Sequence, residues 1–80
     1  MMNIDCIRYG KYQHYKTGKF YQIIDIARHS ETHEEMIVYK ALYQCETFGY
    51  GQIWVRPKIM FFEKVFYNGC NVSRFKWIDE

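Results

Sequence analysis

Three groups of side chains in this sequence have chemistry to offer. The first is Arg28-His29-Ser30-Glu31-Thr32-His33-Glu34-Glu35, which sets imidazole, hydroxyl and carboxylate groups in one short run. An imidazole titrates near neutrality, so His29 could serve as acid, base or ligand contact. The competing reading is that Ser30, Glu31 and Thr32 hydrogen-bond the loop's own backbone and hold a tight hairpin. His29 and His33 stand four apart, a spacing that converges on a metal only if the segment is helical. No third ligand is evident, and no metal is expected. The second group is Trp54-Val55-Arg56-Pro57. Residues two apart on a strand point to the same face. Trp54 could therefore stack on a planar ligand while the Arg56 guanidinium forks onto an anion. Alternatively Trp54 is the main core ring and Arg56 pairs with a carboxylate such as Glu31 or Glu63. The third group is aromatic: Tyr39, Tyr43, Phe48, Tyr50 and Trp77. These rings form either a groove for proline-rich peptides or unpaired bases, or a core with a dimer contact.

The elements that must position these groups are mostly strands. Aromatic and polar residues alternate from Tyr9 to Tyr15, Lys16-Thr17-Gly18-Lys19 supplies a turn, and Phe20–Arg28 is rich in Ile and Tyr. Together they predict a hairpin. Thr32-x-x-Glu35 fits a helix capping box, with Met36, Tyr39 and Tyr43 on one helical face. The β-branched and aromatic run Met36-Ile37-Val38-Tyr39 favours a strand over 34–43 instead, with 29–34 as a polar hairpin loop. Gln44–Gly51 reads as a loop and Gln52–Arg56 as a short strand ended by Pro57. Pro57 suits the first position of a helical turn over 57–62. Glu63–Tyr67 is a strand, Asn68-Gly69 is a two-residue hairpin signal, and Val72–Ile78 is the last strand. Met1–Arg8 has a little strand character.

Composition agrees with this pattern. The chain has 80 residues with eight Tyr, six Phe and two Trp, and Leu and Ala are scarce. It is expected to form a single domain over 1–80, with its core over about 7–78. A chain of this size buries only about 60–65% of its unfolded surface, so its rings must carry the core. The expected class is all-β: a five- to six-stranded SH3-like barrel or strongly curled antiparallel sheet, with one short helical turn after Pro57. The net charge of +2 is too mild to identify a nucleic-acid binder. Cys6, Cys45 and Cys70 are odd in number and form no Cys-x-x-Cys pair, which predicts reduced thiols and a cytoplasmic setting. No signal peptide or membrane span is read from the sequence. Gly-x-Ser-x-Gly and phosphate-loop patterns are absent, so no catalytic residue or cofactor is assigned.

Several segments in order resemble a known family. They are Tyr9-x-Gly, Tyr12-x-His14-Tyr15-Lys16, Ala27-Arg28-His29-Ser30-Glu31-Thr32, Val38-Tyr39-x-x-Leu42-Tyr43, Trp54-Val55-Arg56-Pro57-x-x-Met60-Phe61 and Arg74-Phe75. Over roughly Ile7–Ile78 the chain resembles the small bacterial family of domain-of-unknown-function 1653. The resemblance implies a compact, free-standing, β-rich bacterial domain, and it brings no activity, cofactor or site residue with it. The chain departs from the family pattern at His33, where a turn glycine is expected. It departs again at Ser73, where a proline often precedes Arg-Phe.

The functional expectation is a binding module for a peptide, a nucleic acid or an anionic ligand. Its binding residues are Arg28, His29, Ser30, Glu31, Tyr43, Trp54 and Arg56. The expected partners are a peptide or single-stranded nucleic acid, with a homodimer as the self-associated form and no membrane. One alternative is a small hydrolase or isomerase with His29 as base, Glu31 orienting it and Arg56 holding an anion. Another is a structural, oligomer-forming accessory domain. The binding reading needs the residues near 30 and near 55 to come together.

Overall fold

The structure, a computed structural model, describes residues 7–78. Of the strand character expected over Met1–Arg8, residues 1–6, Cys6 among them, lie outside the described residues, and Ile7 and Arg8 are not in a strand. In chain order the elements are β1 (Gly10–His14), β2 (Phe20–Arg28), β3 (Glu35–Ala41), β4 (Gln44–Cys45), β5 (Gly49–Tyr50), β6 (Ile53–Pro57), α1 (Lys58–Phe61), β7 (Lys64–Tyr67), β8 (Cys70–Ser73) and β9 (Phe75–Trp77). The Ile37-Val38-Tyr39 run is strand, as its β-branched and aromatic character requires, and Ile37, Tyr39 and Ala41 turn inward in alternation. On β2 the inward side chains are Tyr21 and Ile23 and then Ile26, a step of three. Register explains that step: Ile23 faces Tyr39 and Asp25 faces Val38, so Ile24 is an extra residue. Such a bulge bends its strand and adds twist, and here it curls the sheet.

The class is all-β and antiparallel with one helical turn after Pro57, but the sheet is not a closed barrel. Five strands form the main sheet in the order β6-β3-β2-β1-β9, and β4–β5 and β7–β8 are separate two-stranded ribbons. Nine strands are therefore found among the described residues, in place of five or six, and β6 and β9 are the open edges. Two local differences account for the count. The segment 44–51 is not bare loop but carries the β4–β5 ladder. The last strand is broken at Arg74, where the chain leaves β7 and joins β1. The Arg74 N–H donates to Glu63 O, and the Arg74 carbonyl accepts from Tyr15 N, at 3.0 Å each. With its backbone satisfied by two different elements, Arg74 becomes a corner rather than a ladder residue. No helix among the described residues is long and apolar enough to cross a membrane.

Pro57 ends β6 and stands before α1 with φ −53° and ψ 139°. The single helical turn that follows sends Phe61 into the concave face of the sheet, where it is fully buried. Phe61 stacks on Phe75 with centroids 4.2 Å apart and planes 5° apart, and it takes Tyr12 and Tyr39 edge-on at 5.5 and 5.1 Å. Ile23 and Ile37 complete the core. Trp54 does not belong to it and remains 37% exposed, because the helical turn has filled the space with Phe61.

Two hairpin turns share one device. In His14–Lys19, the N–H groups of Lys16 and Thr17 point at His14 Nδ1, and Lys19 N–H donates to Thr17 Oγ1. In His29–Glu34, Glu31 and Thr32 point at His29 Nδ1, and Glu34 N–H donates to Thr32 Oγ1. The residue after each Thr has positive φ: Gly18 at 76° and His33 at 66°. A related turn follows Cys45, whose sulfur meets the Phe48 and Thr47 N–H groups ahead of Gly49. The missing glycine at position 33 thus leaves a β-carbon in the left-handed region, which costs roughly 1–2 kcal/mol for an ordinary residue.

Two expectations follow for urea unfolding. Phe61→Ala should lose about 3–5 kcal/mol, most of the stability of a domain this small. His33→Gly should gain about 0.5–1 kcal/mol, the relieved strain less the extra chain entropy of glycine. An unchanged midpoint for Phe61→Ala, or a lower one for His33→Gly, would contradict the packing and turn assignments.

Candidate functional site

The candidate residues separate into two places. Arg28, His29, Ser30 and Glu31 sit at the tip of the β2–β3 hairpin, whereas Arg56 and Trp54 lie along β6 opposite Ile37 and Tyr39, and Tyr43 follows the end of β3. β3 pairs Met36 with Pro57 and Tyr39 with Trp54. The hairpin tip projects beyond Pro57, so the indole lies at least three strand residues away, about 10 Å. The sheet brings the chain near 35 beside 57, but it does not bring the His29–Glu31 loop to Trp54 and Arg56.

The polar groups of the tip are engaged locally. Arg28 Nη1 donates to His33 O at 2.8 Å, and Nη2 lies 3.8 Å from Glu35 Oε2. His29 Nδ1 accepts two backbone N–H groups, which places the proton of the neutral ring on Nε2 and leaves it a donor rather than a base. Ser30 and Glu31 are exposed. His29 is not among the residues that line the recess holding Arg56.

The second place is a recess of about 200 Å³ lined by Tyr21, Tyr39, Tyr43, Trp54 and Arg56. Trp54 and Arg56 alternate inward along β6, and β3 presents Tyr39 beside them. The Arg56 Nε–H donates to Tyr39 Oη at a long 3.5 Å, and its guanidinium stands 5.8 Å from the Phe75 centroid. The hydroxyls of Tyr21 and Tyr43 are 3.0 Å apart. Burial, and then the bond to Tyr43, push the Tyr21 hydroxyl well above the usual phenol range, so it remains protonated. At the rim the Lys19 ammonium lies 4.4 Å from the Tyr43 centroid, and Phe48 meets Trp54 edge-on at 5.5 Å.

Arg56 has no carboxylate at ion-pair distance among the described residues. Glu63, one expected partner, is held by Arg74 Nη2 at 3.1 Å, and Glu35 by Lys58 at 2.8 Å. Arg74 Nε is itself buried without an acceptor. The result is a half-buried cation beside tyrosine hydroxyls with an excess of donors over acceptors. Sequence reasoning missed Tyr21 and Lys19 here. Tyr21 shares the inward alternation of β2 with Ile23, and Lys19 ends the first His-x-x-Thr turn.

His14 feels the same field. Its ring lies edge-on to Phe75 at 5.1 Å, and burial, then Arg56, Arg74 and Lys16, pull its pKa below 6.5. A larger cavity of about 440 Å³ lies against the first turn and the β7–β8 hairpin, lined among others by Gln13, Tyr15, Tyr67, Ser73 and Lys76. It gathers one ammonium and no second fixed charge. The smaller recess has the more directed chemistry.

A family model described as protein of unknown function, DUF1653, matches residues 10–77. The crystal structure of a DUF1653 protein from Bordetella bronchiseptica is similar to this chain. The two are 29% identical and superpose with a TM-score of 0.80, covering 95% of this chain and 92% of that one. No curated protein matches.

The depressed His14 pKa sets a direction for pH. Between that value and 6.5 the unfolded chain holds a proton that the folded one does not. Stability from this group is therefore full above 6.5 and falls as the pH drops through that window. His14→Asn keeps an acceptor for the turn and removes the titration. Urea midpoints should fall less for His14→Asn than for the unsubstituted protein between about pH 7.5 and 5, a span that brackets the imidazole range. Equal falls would contradict the placement of His14 beside the two arginines.

Proposed function

The chain belongs to the DUF1653 family, and from that premise we propose that it is a small binding module whose ligand sets an anionic group against Arg56 and a flat group on Trp54. The observation that carries this reading is Arg56 itself: half-buried, walled by Tyr21, Tyr39, Tyr43 and Trp54, and without a carboxylate partner among the described residues. Holding a cation partly out of water is unfavourable unless something compensates it, and an incoming anion supplies that compensation. A recess of about 200 Å³ is below the roughly 300–1,000 Å³ of sites that enclose a drug-sized ligand. It suits one oxyanion and the edge of a ring, with the rest of the ligand on the surface.

The finer architectural reading belongs with this proposal. The curled five-stranded sheet and its helical plug form one domain of SH3-like character, with the recess at the open end of the curl. The free thiols Cys45 and Cys70 support a cytoplasmic setting, and the Bordetella bronchiseptica relative supports a bacterial one. In this reading the Arg28–Glu31 tip shapes the hairpin and contributes no ligand contact.

Benzoate supplies a carboxylate and a ring in the simplest form. Titrated at low salt and followed by backbone and indole NMR, it should shift the Trp54 indole and the amides around Tyr39 and Tyr43 along one saturating curve. Arg56→Gln should weaken that binding by roughly 10-fold or more, as the loss of a charge-assisted hydrogen bond of about 1.5–3 kcal/mol implies. Shifts centred on 29–34, or equal affinity in Arg56→Gln, would contradict the reading.

A further inference from the structure

Resting on the recess reading, we infer that the ligand is a nucleoside phosphate, with its phosphate in the Arg56 recess and its base on Trp54. Counting donors separates a phosphate from a carboxylate. A tyrosine hydroxyl has one proton, so the Tyr21–Tyr43 pair spends one and keeps one. Tyr39 accepts from Arg56 Nε, and its own proton has no protein acceptor among the described residues. With Nε given to Tyr39, the terminal nitrogens of Arg56 have no protein acceptor among the described residues and are left for a ligand. The recess therefore offers a bidentate guanidinium and two hydroxyl protons, with no carboxylate to repel an anion. A carboxylate has two oxygens and leaves part of that set unused. A phosphate ester has three non-bridging oxygens and engages it fully.

Charge and spacing point the same way. The Lys19 ammonium stands 4.4 Å from the Tyr43 ring centroid, which adds a second cation beside the recess and suits more than one negative charge. Trp54 and Arg56 are two residues apart on β6, about 6.8 Å along the strand. A nucleotide bridges such a gap because a sugar separates its base from its phosphate. In phosphotyrosine the phosphate is joined to the ring, which would have to follow it into the recess. The platform is flat and open: Trp54 is part-exposed and braced edge-on by Phe48, as base stacking requires.

The test titrates the whole chain at low salt with adenosine 5′-monophosphate, adenosine, inorganic phosphate, phosphotyrosine and benzoate. Shifts of the Trp54 indole and Tyr43 amide are the readout. Adenosine 5′-monophosphate should bind at least 10-fold more tightly than adenosine or phosphate alone. Trp54→Leu should remove the advantage over phosphate, and Arg56→Gln the advantage over adenosine. Arg56→Lys, which keeps the charge and loses the fork, should fall between Arg56→Gln and the unsubstituted protein and guards against a folding artefact. A uridine octanucleotide compared with uridine monophosphate identifies the source. Tighter, salt-sensitive binding of the octamer assigns a single strand, and equal binding per site assigns a free nucleotide. Both outcomes support the inference. Phosphotyrosine binding as tightly as adenosine 5′-monophosphate would overturn it in favour of a phosphopeptide. Benzoate binding without adenosine 5′-monophosphate would overturn it and leave the recess reading standing. No binding by any probe would overturn both.

Discussion

The parallel stack of Phe61 on Phe75 is the contact on which the rest of the structure depends. The main sheet is open at both edges, so it cannot hold its curl by hydrogen bonding alone. The helical turn after Pro57 supplies a ring that the sheet closes around, and Phe75, from the strand beyond the Arg74 corner, meets it face to face. Tyr12, Tyr39 and Tyr21 then arrange themselves edge-on around the stack, each pair adding about 0.5–1.5 kcal/mol beyond its buried area. So small a domain has few aliphatic residues to spend on a core. The same rings therefore serve twice. Tyr21 and Tyr39 set their rings edge-on against the core stack and also line the recess. The chemistry of the site follows from the way the core is filled.

Much of the architecture was legible in the sequence because period-two burial is a local property. Tyr12 and His14, Ile37 and Tyr39, and the Asn68-Gly69 turn with both residues at positive φ are all set by near neighbours. Closure was not legible, because it depends on which edges meet. The break at Arg74 carries no glycine or proline to announce it, and it arises because Glu63 and Tyr15, distant in sequence, satisfy its backbone. Trp54 was open to misreading as core for a related reason. Only the path of the helical turn decides which large ring is interior. The repeated His-x-x-Thr turn, by contrast, was present in the letters at His14 and His29 and would have assigned both imidazoles to backbone capping.

The site was half legible. Alternation placed Trp54 and Arg56 on one face, and Tyr43 joins them through the β4–β5 ribbon that follows β3. The expected meeting with the His29–Glu31 loop fails because the loop turns beyond the Glu35 end of β3, whereas Trp54 lies opposite Tyr39 farther along the strand, and Arg56, opposite Ile37, turns its side chain toward Tyr39. Carboxylate choice could not be read from order alone. Glu63 is closer in sequence to Arg56 than to Arg74, yet the corner geometry gives it to Arg74 and leaves Arg56 unneutralised. That leftover charge, more than any motif, distinguishes this face of the molecule.

The central claim is therefore that Arg56 sits among rings without a carboxylate, and nitrogen-detected NMR of its guanidinium tests it most directly. In the free protein the Arg56 Nε–H signal should show contacts to the Tyr39 and Phe75 ring protons. It should stay in place as the carboxylates titrate between about pH 3 and 6. A signal that moves with the protonation of Glu63 or another carboxylate would make Arg56 an ordinary structural ion pair and contradict the account.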